Sequence, residues 1–118
     1  IAVATSTGGI FNKLPGRVGD SPLLGCGTYA GGLGGVSCTG HGEAMMRVVM
    51  AKSTLELLKS GADPRSAANQ AIVLLAKKTG STGGLIVIDR QGRIGYARNT
   101  LRMPVCSVTD SRGVELDS

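Results

Sequence analysis

The sequence predicts an α+β domain of layered type, on three observations. Apolar, β-branched runs stand near the start of the chain and again after residue 83, two helical patterns sit side by side between them, and the glycines are clustered without a period. Segregated helices disfavour alternating βαβ units, and no internal repeat or interdomain linker interrupts the 118 residues, so one domain over 1–118 is expected.

The elements follow in order. "IAVATST" is β-branched and apolar and reads as a strand stopping at Gly8–Gly9, with Thr5 and Thr7 on the same side. Residues 10–35 read as loop, since glycines recur and no hydrophobic period runs through them. "GVSCT" reads as a short buried strand ending at Gly40. From Glu43 to Lys59 the spacing is helical, with a face through Met46, Val49, Met50, Ser53, Leu57 and Ser60 and a stop at Gly61. A second helix has Asp63 as its N-cap, Pro64 at its first position, and Lys77–Lys78 before Gly80. "LIVI" reads as a buried strand, "DRQG" as a turn and "IGYAR" as the return. "MPVCSVTDSRGVELD" repeats the hairpin with a turn over 110–113.

Composition narrows the function classes. Hydrophobic residues make up 42% and charged residues 18%, the balance of a globular chain. The core must come from Val, Ile, Leu, Met and Ala, because Phe11, Tyr29 and Tyr96 are the only aromatics. Nineteen glycines, against an average near 7%, suggest backbone packed closely on backbone or ligand. The net charge of +5 is scattered, without a basic run or interleaved aromatics, so no nucleic-acid partner is expected. No segment approaches the ~18 apolar residues that would span a bilayer, so no membrane partner is expected either. Cys26, Cys38 and Cys106 are widely spaced and accompany one histidine, which offers no zinc pattern. An odd cysteine count suggests a reducing, cytoplasmic setting. Ile1 is an unusual first residue, and the chain is expected to begin partway through a longer product.

Three stretches can carry chemistry. In "TSTGG", hydroxyls before a glycine pair can line a polar pocket, although an ordinary strand running into a turn has the same composition. In "NKLPGRVGDSP", Arg17 offers a planar fork for a carboxylate and Asp20 an acceptor for an ammonium. They can grip both charged groups of an amino acid, or they can form a surface ion pair of little consequence. In "VSCTGHGE", Thr39–Gly40 ends a strand just before a helix, where free backbone N–H groups suit an anion or a developing oxyanion. Gly40 and Gly42 allow close approach to the backbone. His41 lacks a Ser or Cys partner for a known triad and suits an exposed loop position better than a general base. Glu43 suits the helix N-terminus.

Together "ATSTGG", "NKLPGRVGDSPLLGCGTYA" and "VSCTGHGE" resemble the plant-type asparaginases and isoaspartyl peptidases, which are N-terminal-nucleophile hydrolases. The likeness runs on through "GGLIVID" and covers most of the chain. It implies a precursor that cleaves itself into α and β subunits, which build a four-layer αββα sandwich and an (αβ)2 heterotetramer. This chain then corresponds to most of β without its N-terminal segment. The resemblance assigns Arg17 to the substrate α-carboxylate and Asp20 to its α-amine. It assigns Thr39 and Gly40 to the oxyanion site, Gly42 to the pocket lining, and Thr7 to tuning the nucleophile. It implies a small-molecule substrate and no cofactor, with a structural monovalent cation conceivable on the α subunit.

The implied nucleophile is the first threonine of β, activated by its own α-amine. Its place is upstream of Ile1, and neither Thr5 nor Thr7 has the free amine to replace it. The expected activity is hydrolysis of the side-chain amide of L-asparagine and of β-aspartyl dipeptides. The alternative is a non-catalytic homologue that binds an aspartyl group. Asp20 favours substrates with a free α-amine over the protein substrates of the related threonine aspartases. "STGG" in place of "STNG" leans away from the glycosylasparaginases.

Overall fold

A computed structural model describes residues 1–6 and 9–118. Its frame is an antiparallel sheet in the order β1 (Thr28–Gly31), β2 (Gly34–Gly40), β3 (Gly83–Asp89) and β4 (Ile94–Arg98). Helices α1 (Gly42–Val48), α2 (Met50–Lys59) and α3 (Pro64–Thr79) follow β2. A separate hairpin, β5 (Val105–Thr109) and β6 (Gly113–Asp117), ends the chain. The mixed architecture with grouped helices and antiparallel strands is the α+β class expected.

Alternation along the central strands explains the layering. Val36, Cys38, Leu85, Val87 and Ala97 are buried against Met45, Met50, Leu55, Ala68, Ile72 and Leu75 from the helices. The intervening Ile86 is half exposed, so "LIVI" is buried on one face and not on both. On the outer face lies the stretch 1–6, expected as a strand. It forms no ladder and is held across the sheet surface by side-chain bonds: the Thr5 and Ser37 hydroxyls meet at 2.6 Å, and Thr5 donates to the Gly27 carbonyl at 3.2 Å. Val3 packs on Gly35 from the same side, where only a glycine leaves room.

The second helix has the expected ends. Asp63 accepts from the Arg65 and Ser66 amides, Pro64 opens the helix, and Gly80 closes it at φ 69°. The "DRQG" turn is held by Asp89, whose carboxylate accepts from the Gln91 and Arg93 amides at 2.9 Å each. Short β1 was not legible within the glycine-rich loop, because Tyr29 is its one large apolar residue and pairing with β2 carries it.

The expected single helix over 43–59 is two helices. Val49 stands between them at φ 47°, ψ 54°, in the left-handed region. That break turns the register, so Ala44, Met45, Met50, Ala51, Thr54 and Leu55 face the core, while Val49 and Ser60 are exposed. It also frees the Ala51 and Lys52 amides, which donate to the Cys26 and Gly25 carbonyls at 3.1 and 2.8 Å. The loop leading to the site below is thereby tied to the start of α2. A β-branched residue with positive φ stores roughly 1–2 kcal/mol of strain. Because Val49 is 43% exposed, glycine there forfeits little packing. Val49→Gly is expected to stabilise the full-length protein by about 1 kcal/mol, read as a higher midpoint in urea unfolding. A lower midpoint would mean that the side chain's contacts outweigh the strain.

Among the described residues, no helix is long and apolar enough to cross a membrane, and no cluster of three His, Cys, Asp or Glu side chains has the arrangement to hold a metal ion.

Candidate substrate-binding site

Arg17 and Asp20 come from the loop before β1, and Gly42 and Glu43 from the first turn of α1. The loop folds back on itself: the Asp20 carbonyl accepts from the Leu23 and Gly27 amides, each at 3.0 Å. Asp20 is thus drawn beneath the strand entrance and is only 5% exposed. Its Oδ2 has no hydrogen-bond partner. Burial raises the carboxyl pKa above the ordinary range, against the lowering effects of its own amide and of Arg17. A buried, unpaired carboxylate oxygen is costly and suits a site completed by a cationic ligand.

Arg17 lies close by, but its ion pair is not with Asp20. Its Nε donates to Glu43 Oε1 at 2.7 Å and its Nη2 to Oε2 at 3.0 Å. The two-point pair holds the Glu43 carboxyl down to about 2, chiefly through the Arg17 hydrogen bond and next through Glu43's own amide. Glu43 therefore serves the arginine as well as the helix end. The Nε–Nη2 edge is engaged by Glu43, which leaves the donors of the Nη1–Nη2 end to other acceptors.

Two glycines make this proximity possible. A β-carbon at Gly42 would lie 2.8 Å from Asp20 N and Oδ1 and 3.0 Å from Arg17 Nη2. At Gly27 it would lie 2.6 Å from the Asp20 carbonyl carbon and oxygen and 2.7 Å from Oδ2. Any side chain at either position must displace the acid. Gly42 accordingly lies against both Arg17 and Asp20. Gly27 and the pairing role of Glu43 were missed. The signal available for Glu43 was an acid in the motif beside an arginine that needs a counter-charge. Gly27 had no signal in a loop rich in glycine.

Thr39 and Gly40 occupy the last two positions of β2, just before this corner. Thr39 is exposed and lines a cleft of about 330 Å³ with Thr5, Ser6, Ser37, Ile86 and Met103. Arg17 and Asp20 are not among the residues lining that cleft. Gly40 has φ 145°, and a β-carbon there would lie 2.7 Å from the Gly83 α-carbon on β3. Thr7 lies outside the described residues, two positions beyond Thr5. His41 is exposed at the N-cap of α1 and makes no side-chain capping bond. Burial raises the Cys26 and Cys38 thiol pKa values, and the Asp20 charge adds to both, so neither is a ready thiolate.

A protein-family model described as asparaginase matches residues 1–115. The plant-type L-asparaginase of Pyrococcus horikoshii is 44% identical over 111 residues, covering 93% of this chain and 36% of that protein. The isoaspartyl peptidase/L-asparaginase of Danio rerio is 42% identical over 104 residues, or 87% of this chain and 34% of its own length. A Drosophila melanogaster protein named as a probable isoaspartyl peptidase/L-asparaginase is 46% identical over 105 residues, at 87% and 32% coverage. The chain thus spans about a third of the length of the curated relatives it matches. With the match running nearly from end to end, this chain belongs to the asparaginase family.

Proposed function

We propose that the protein containing this chain is an amidohydrolase acting on the side-chain amide of L-asparagine and on β-aspartyl dipeptides. The carrying observation is the buried Asp20 carboxylate, unpaired at Oδ2, beside the Arg17 fork. Opposite charges on either side of Gly42 complement a free amino acid, which carries both an α-ammonium and an α-carboxylate. The names of the relatives support the reaction class.

In this reading Arg17 binds the α-carboxylate, Asp20 the α-ammonium, and Gly42 lines the pocket between them. A threonine at the start of the β subunit attacks the side-chain amide carbon through its Oγ, and its α-amine takes the hydroxyl proton. Thr39 and Gly40 receive the oxyanion, and Thr7 hydrogen-bonds near the nucleophile. Ammonia or the dipeptide's amine leaves with a proton, and an ester links threonine to the aspartyl group. Water hydrolyses that ester and aspartate is released.

The α subunit of the same precursor supplies the remaining layers of an αββα sandwich, and two αβ units form the (αβ)2 assembly. The half-exposed Ile86 and the exposed Val108, Val114 and Leu116 support a further covering layer. No cofactor takes part, the α subunit is where a structural monovalent cation would sit, and the setting is the cytoplasm.

The test uses the full-length protein. Self-cleavage should expose an N-terminal threonine by Edman sequencing, and incubation with L-asparagine or a β-aspartyl dipeptide should release aspartate. Aspartate binding with neither cleavage nor turnover would make it a non-catalytic homologue.

A further inference from the structure

We propose that Glu43 is a positioning residue that gives the site its preference for a ligand with a free α-carboxylate. This rests on the reading of Arg17 as the carboxylate-binding group. The Arg17 side chain has several rotatable bonds, and an unheld guanidinium must lose that freedom when a ligand arrives. Glu43 holds it beforehand, by the two parallel bonds at 2.7 and 3.0 Å that fix both the position and the plane of the fork. The arginine side chain is 16% exposed and that of Glu43 56%. The solvent-facing partner is thus the acid, and the fork is turned inward toward Gly42 and Asp20.

The pairing also selects which end of the guanidinium meets the ligand. With Nε and one Nη2 hydrogen engaged, a carboxylate approaches the Nη1–Nη2 end. Gly19 lies beside Nη1, where a β-carbon would come within 2.7 Å, so any side chain there would crowd that end. Glu43 has an opposing effect, since its negative charge repels an incoming carboxylate. Solvent weakens both effects, because the acid is more than half exposed, but the orienting bonds are direct contacts at 2.7 and 3.0 Å, whereas the repulsion acts across the guanidinium whose positive charge lies between. Preorganisation wins.

Isothermal titration of the full-length protein with L-aspartate and with L-isoasparagine, its α-carboxamide, tests this. Wild type should prefer aspartate, and Glu43→Gln should reduce that preference about tenfold, or ~1.4 kcal/mol. Arg17→Ala should abolish it. If Glu43→Gln keeps the wild-type preference while Arg17→Ala abolishes it, the inference fails and the reading of Arg17 stands. If Glu43→Gln weakens both ligands equally, its role is structural only and the inference fails. Tighter aspartate binding in that variant would make Glu43 a competitor and overturn the proposal. If Arg17→Ala leaves the preference intact, the reading of Arg17 itself fails. Should the glutamine variant not fold, Glu43→Asp retains the charge on a shorter stem and should show a smaller loss of preference.

Discussion

Arg17→Ala should lower kcat/KM for L-asparagine, the proposed substrate, by about a hundredfold or more in the full-length protein, while Lys52→Ala should change it by no more than about twofold. The expectation follows from what each cation meets. Arg17 is largely enclosed and lies against Gly42 beside a buried acid, and in the proposed function it binds the substrate carboxylate. Removing it takes away the only cation among the residues assigned to the substrate and leaves Glu43 without its partner. Lys52 is equally positive but pairs with Glu56 one turn along α2 and lies 5.4 Å from the Tyr29 ring centre on the surface. Steady-state kinetics on the two variants decides the matter. Equal losses would mean that net charge, and not a carboxylate contact, governs activity.

Asp20→Asn separates function from stability. Without a carboxylate to hold the α-ammonium, kcat/KM should again fall about a hundredfold or more. At neutral pH, however, the variant should melt at a higher temperature than wild type. Burial raises the folded-state carboxyl pKa, so Asp20 contributes stability that is fully present below the unfolded pKa and is lost as pH rises through the folded one. The stability advantage of the asparagine variant should therefore be largest near pH 7 and shrink toward pH 3. Thermal melts across that range check the sign. An Asp20→Asn protein that is less stable at pH 7, and recovers in acid, would mean that the carboxylate is already satisfied within the fold. The activity prediction has its own direction: acid should inactivate the wild type as Asp20 takes up a proton, and this limb should disappear from the residual activity of the variant.

Much of the fold was legible because local chemistry decided it. Asp63, Pro64 and Gly80 bound a helix for reasons confined to a few residues of backbone, and the "DRQG" turn is closed by its own aspartate. The opposite charges of Arg17 and Asp20 were legible, as either an amino-acid clamp or a surface ion pair, and the two residues do not pair with each other. Their partners were not legible: Glu43 lies 26 residues from Arg17, and proximity at that separation comes from the return of the chain at the end of β2. Val49 was read as an ordinary helical position, because nothing local marks a valine that must turn left-handed. Its conformation follows from two loop carbonyls that capture the next turn's amides. Residues 1–6 have the composition of a strand but lie across a sheet face, with side-chain hydroxyls meeting where a ladder was expected.

The sequence by itself determined the class of fold, the ends of α3, the two C-terminal hairpins, and the types of charge at the site. All of these depend on propensity, capping and alternation over short stretches. Only the tertiary structure decided that Arg17 is held by Glu43, that Asp20 is buried with one oxygen unpaired, and that Gly27 and Gly42 stand where a single β-carbon would dislodge it. Burial and contact between distant segments depend on how sheet and helices close on one another. The stretch "NKLPGRVGDSP" contains Arg17 and Asp20, but the environment of each is supplied by chain that comes later.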